Sequence, residues 1–124
     1  MELNMDSAKK KGSYFGTEID GKWWKRYKKD GLFARGKGQF WMDEEGIRFH
    51  RLLTREPLLI RWGEMTGTRL GKWHAGQWAI GRPILKVEFE RSGLHLSAGF
   101  YLANDWQGMS ALSADLNRKL NDRS

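Results

Sequence analysis

The chain has 124 residues, 22 Lys and Arg against 15 Asp and Glu, and a net charge of +7. That length suits one domain around one core, and the absence of cysteine excludes disulfides and thiolate metal sites. No stretch approaches the roughly 20 apolar residues that span a bilayer, and no apolar run follows Lys9, Lys10 and Lys11 as a secretory signal requires.

The expected location is therefore cytoplasmic. The charge excess is uneven: residues 1–40 hold ten Lys or Arg and five Asp or Glu, whereas residues 41–124 hold twelve and ten. A basic stripe attracts nucleic acid, anionic head groups or acidic protein, although a basic balance also serves plain solubility.

In chain order, residues 1–13 read as a flexible basic tail ending in Gly12-Ser13, and residues 14–124 as one domain. The stretch 21–37, "GKWWKRYKKDGLFARGK", holds seven basic residues, one acid and four aromatics. Alternation splits its charge over two faces, with Trp23, Lys25, Tyr27 and Lys29 on one and Lys22, Trp24, Arg26 and Lys28 on the other. The expectation is a first strand over 22–29, at a sheet edge where lysine discourages unwanted pairing. A turn at Asp30-Gly31 then joins it to a second strand over 32–42, "LFARGKGQFWM". In that strand Leu32, Ala34, Gly36, Gly38, Phe40 and Met42 face one way. "DEEG" turns into "GIRFHRLL", with Ile47 and Phe49 inward and Arg48 and His50 outward, and Pro57 breaks the pattern.

"LLIRW" is a strand with Leu58, Ile60 and Trp62 on one face. Residues 63–78 read as a bulged strand running into a loop around "GKWHAG". "PILKVEFE" puts Leu85, Val87 and Phe89 in and Lys86, Glu88 and Glu90 out; "LHLSAGFYL" puts Leu94, Leu96, Ala98, Phe100 and Leu102 in. The period then changes. Trp106, Met109, Leu112, Leu116 and Leu120 form one helical stripe over about 104–121, with Asn104 as N-cap and Gln107 three residues on.

The outcome is a mainly β (α+β) chain, six or seven antiparallel strands followed by one C-terminal helix laid across the opening of the sheet. "GQFWMDEEGIRFHRLLT", "PLLIRWGEMTG", "GKWHAGQWAIGRPILKVEF" and "GLHLSAGFYL" in this order, followed by the helix, resemble the pleckstrin-homology-like (PH/GRAM-like) barrel. More narrowly, the chain resembles a group of uncharacterised bacterial proteins with that fold; the likeness covers roughly 32–120. The resemblance implies a binding domain. Lipid-binding members of that superfamily hold phosphates with Lys and Arg around the first strand–strand loop. If 22–29 is the first strand, Lys28, Lys29, Arg35 and Lys37 match that pattern; if 35–42 is, the loop is Asp43-Glu44-Glu45-Gly46, which repels phosphate.

No catalytic constellation stands out. His50, His74 and His95 have no metal-ligand spacing. "GKG" and "GTRLG" lack the ending of a phosphate loop, and no nucleophile elbow occurs. The expectation is a non-enzyme without cofactor or metal. "GKWHAGQW" is the other oddity: Lys72, Trp73, His74 and Trp78 either grip a ligand with indoles and a cation or cap the end of the barrel. The expected function is a non-catalytic binding domain for a protein or peptide. The alternatives are peripheral binding to anionic lipid through 22–37 and binding of single-stranded nucleic acid, with Trp and Tyr stacking between cations. An open sheet edge also allows a homodimer.

Overall fold

A computed structural model describes residues 9–102 and 105–123. Ten strands precede one helix: β1 (Lys10–Ile19), β2 (Lys22–Arg26), β3 (Gly36–Met42), β4 (Gly46–Arg51), β5 (Leu58–Arg61), β6 (Met65–Gly71), β7 (Trp73–His74), β8 (Gln77–Trp78), β9 (Ile84–Arg91), β10 (Leu94–Tyr101) and α1 (Trp106–Arg123). A single 3₁₀ turn, Trp62–Glu64, joins β5 to β6. The main antiparallel sheet has eight strands, in the order β5-β4-β3-β1-β10-β9-β6, with β2 attached to β1; β7 and β8 form a separate hairpin.

The inner face of the sheet holds the core. Tyr14, Phe40, Phe49 and Phe100 pack ring on ring, with centroids 5.3–6.2 Å apart. Ile47, Ile60, Leu85, Val87, Phe89, Leu96 and Ala98 surround them, and α1 adds Met109 and Leu116. The alternation read from 40–49, 58–62, 85–89 and 96–102 therefore marks the inward face correctly. The stripe on α1 does so too for Met109, Leu112, Leu116 and Leu120. Trp106 departs from it: it stays 39% exposed and donates its indole N–H to the Gly81 carbonyl at 2.9 Å. Asn104, expected as the cap, lies outside the described residues. Within them Asp105 does the capping, its Oδ1 accepting the Gly108 N–H at 2.7 Å.

Other expectations are corrected. The tail stops short of residue 13, because Lys10–Ser13 already belong to β1, the central strand of the sheet; residues 1–8 lie outside the described residues. Lysine and glycine disguise this strand, yet it pairs with β10 on one side and, on the other, with β3 along Lys10–Tyr14 and with β2 at Glu18 and Ile19. A bulge between Tyr14 and Gly16 shifts its register against β10.

The first strand is thus not 22–29. β2 ends at Arg26 and pairs with β1 through an Asp20-Gly21 turn whose residues have φ of 56° and 69°. Asp30-Gly31 does turn the chain, with Leu32 N–H bonded to the Lys29 carbonyl at 3.0 Å. It joins no hairpin, because residues 32–35 leave the sheet. Leu32 plugs the core instead, and its carbonyl accepts the buried Tyr14 hydroxyl at 2.6 Å. Burial pushes the Tyr14 hydroxyl pKa upward, so the phenol stays a donor.

Leu94, expected inward, is exposed, and Lys86, expected outward, is buried. The sheet is open rather than closed into a barrel. β5 is only four residues long, and α1 packs along β6. There the Asn117 carboxamide accepts the Thr68 N–H at 2.8 Å and donates to the Thr68 carbonyl at 3.2 Å. Ser113 Oγ adds a bond to Thr68 Oγ1 at 2.6 Å. A helix side chain thus takes the place of a neighbouring strand at this edge.

A tryptophan surface on a buried polar anchor

The outer face of β1, β10 and β9 is covered by the β7–β8 hairpin. Its two-residue loop, Ala75-Gly76, has φ of 48° and 83°, the pair that lets strands turn with their own twist. In a hairpin this tight, Trp73 and Trp78 are cross-strand partners, as are His74 and Gln77, and successive residues point to opposite faces.

His74 therefore points at the sheet. It is fully buried, and it lies where Gly99 has no side chain: a Cβ there would sit 2.5 Å from His74 Cγ. His74 Nε2 bonds the Gly16 carbonyl at 2.9 Å. A carbonyl only accepts, so Nε2 carries the proton. Nδ1 has no hydrogen-bond partner and faces Glu18 Oε2 at 3.8 Å. Burial pulls the His74 pKa down to about 4 despite that carboxylate, so the ring is neutral at pH 7.

Glu18, itself buried, accepts the Ala75 N–H at 2.7 Å. Arg35 completes the anchor, donating Nη2 to the Ala75 carbonyl and Nε to the Phe15 carbonyl at 3.1 Å. Lys86 lies below, its pKa lowered by burial. Arg26 occupies the space left by Gly16, bonds the Phe33 carbonyl and stacks 4.6 Å from the Phe33 ring centroid.

With His74 facing in, the indoles face out. Trp73 and Trp78 are 60% and 51% exposed and stack at 6.1 Å with planes 24° apart. β2 brings Trp23 alongside, and Trp24 meets Trp23 edge to face at 5.7 Å; each is 61% exposed. Trp23 leans over Gly76 at the hairpin tip; Trp23, Trp73 and Gly76 line a cleft of about 320 Å³. Lys22, Lys25 and Lys72 are exposed in the same strands and their approach. Four indoles this open present on the order of 500 Å² of apolar surface, as much as the largest patch of a typical monomer.

The eight residues expected from sequence fall into three groups. Lys72, Trp73 and Trp78 belong to this surface; His74 and Arg35 hold it from beneath. Lys28 lies 5.7 Å from the Phe33 ring centroid, and Lys29 is exposed at the Asp30-Gly31 turn. Lys37 sits opposite Ser13 in the β1–β3 ladder, away from the other two. The four cations of 28–37 are thus divided among the Phe33 ring, the turn, the hairpin anchor and the β1–β3 ladder. Trp23 and Trp24 are the contacts that sequence reasoning left out. The available signal was two adjacent indoles in a five-residue strand with no core to receive either.

Among the described residues no cluster of three His, Cys, Asp or Glu is placed to hold a metal ion, and no helix is long and apolar enough to cross a membrane. No protein-family model, curated protein or solved structure matches the chain.

Proposed function

We propose that this chain is a non-catalytic binding domain whose ligand, a protein or peptide, docks on Trp23, Trp24, Trp73 and Trp78. One observation carries the reading: four tryptophans stand more than half exposed, two of them on a hairpin whose underside is tied down by buried bonds. Rigid exposed indoles are the residues that dominate binding energy at protein interfaces. The neighbouring lysines favour an acidic partner. An antiparallel sheet followed by one C-terminal helix is the coarse order that the pleckstrin-homology-like reading expects, and that reading would make this a binding module by analogy. Peripheral binding to anionic lipid ranks second, because Arg26 and Arg35 are spent on backbone carbonyls and Lys37 lies apart. Nucleic-acid binding ranks third.

The test is selection from a displayed peptide library against the full chain and against a Trp73→Ala/Trp78→Ala variant. Enriched acidic or aromatic peptides that bind wild type with micromolar Kd, and the variant at least tenfold more weakly, are the expected result. Failure to enrich any peptide, or equal binding by the variant, refutes it. Sedimentation with anionic vesicles, or binding of single-stranded oligonucleotide that falls steeply with salt, would move the assignment to the other readings.

A further inference from the structure

A second concavity lies on the ladder of β10, β1, β3 and β4 and shares no residue with the tryptophan surface. It has a volume of about 590 Å³, within the roughly 300–1,000 Å³ of small-ligand sites. The strand register builds it in rows: Tyr101, Ser13 and Lys37 lie side by side, and so do Lys11, Gln39 and His50. The loop after β4 overhangs one side. His50 Nε2 bonds the Thr54 carbonyl at 2.8 Å and holds that loop in place.

Two leucines at this loop have no structural employment. Leu52 is 68% exposed, and Leu53 is wholly exposed at φ 66°, a conformation that leucine rarely adopts. Neither reaches the core, yet both line the groove. The rest of its exposed surface is mostly apolar, with Gly12, Gly38 and the lysine stems beside the polar Ser13, Gln39 and Thr54. The charged groups lining it are Lys11, Lys37 and Arg51, with no Asp or Glu. Arg51 already donates to the carbonyls of Gly31 and Ala34, which makes the two lysines the contacts available to an anion. An apolar trough with ammonium groups and no carboxylate is complementary to one chemistry: a negative head on an aliphatic tail. A purely polar anion would leave the leucines wet, and a neutral lipid would leave the lysines unused.

We propose that this groove binds a single-chain anionic amphiphile, a free fatty-acid carboxylate, as a monomer. The carboxylate lies between Lys11 and Lys37, and the tail runs along Leu52 and Leu53. The occupant is a free acid and not a bilayer, since a half-enclosed trough accepts one chain whereas a membrane presents a broad surface.

Titration calorimetry of the full chain with octanoate, decanoate and dodecanoate, each below its critical micelle concentration, tests this. Saturable one-to-one binding is expected, tightening roughly two- to fourfold per added methylene as the tail is buried. Dodecyltrimethylammonium should not bind. Leu53→Asn removes the apolar wall with a residue that accepts positive φ, and Lys11→Glu/Lys37→Glu reverses the charge. Each should weaken dodecanoate at least tenfold, with Trp73→Ala/Trp78→Ala left as wild type. Should the charge-reversed chain fail to fold, Leu53→Asn, a change at an exposed loop, decides alone. Absence of saturable binding, equal binding of the cationic amphiphile, or undiminished binding by Leu53→Asn overturns the proposal. So does sedimentation with anionic vesicles that Leu53→Asn abolishes while dodecanoate itself fails to bind.

Discussion

Gly99→Ala is a one-carbon change that should dislodge the tryptophan surface without touching it. The new Cβ would fall 2.5 Å from His74 Cγ and 2.9 Å from Nε2, where no real Cβ is found. Gly99 lies on β10, paired with Lys86 on one side and Gly16 on the other, so its backbone has no room to retreat. The imidazole must yield, and the β7–β8 hairpin with it. Overpacking alone costs about 1–3 kcal/mol. Loss of the bond from His74 to the Gly16 carbonyl adds about 1 kcal/mol. The sum is about 3 kcal/mol. At roughly 2.1 cal/mol/K of unfolding entropy per residue, a chain of 124 residues then melts about 12 °C lower. Calorimetry or circular dichroism gives the melting shift, and hydrogen exchange of the Ala75 amide, bonded to Glu18, gives the local opening. In a double-mutant cycle His74→Ala should relieve part of the defect, because the smaller side chain makes way for the Cβ. A Gly99→Ala protein that melts within 2 °C of wild type and keeps Ala75 protected would refute the whole account of the anchor.

Two further outcomes follow from the same bonds. The folded pKa of His74, about 4, lies below the ordinary 6.5. The unfolded chain therefore takes up a proton as pH falls through 6.5, while the folded chain resists until about 4. Stability from this group is complete above pH 6.5 and declines below it, by about 1.4 kcal/mol per pH unit and about 3 kcal/mol in all. Glu64 and Asp43, whose pKa values are lowered, lose their contributions only below the ordinary carboxylate range. Urea midpoints between pH 7.5 and 5 thus isolate His74; a slope that persists in His74→Gln would contradict the assignment. Asn117→Ala strips both bonds from Thr68 on β6 and should cost about 1–2 kcal/mol in urea unfolding. Unchanged stability would mean that apolar packing alone docks α1.

Much of the fold was legible because period and burial are linked one to one where a face is simply wet or dry. Phe40, Phe49, Val87 and Phe100 alternate with polar neighbours, and Met109, Leu112, Leu116 and Leu120 repeat at three and four. Legibility failed where both faces are covered. β1 reads as a polar tail at "KKGS" and carries Glu18, yet Tyr14 and Thr17 are buried and so is Glu18 on the other side. The outer cover, not composition, makes Lys86 and His74 interior residues.

Period, turn chemistry and composition settled the class of the chain: a mainly β domain ending in an amphipathic helix, with a turn at Asp30-Gly31 and without cysteine chemistry. Those are local matters of period, turn conformation and composition. Tertiary structure alone decided which residues share a surface. A cation such as Arg35 satisfies whichever carbonyls lie within its reach, and those of Phe15 and Ala75 are distant in sequence. A tryptophan stays exposed or becomes buried according to what packs over it. The basic stretch 21–37 thereby lost its unity, while Trp23 gained Trp73 as a neighbour from fifty residues away, because His74 seats the hairpin over Gly99.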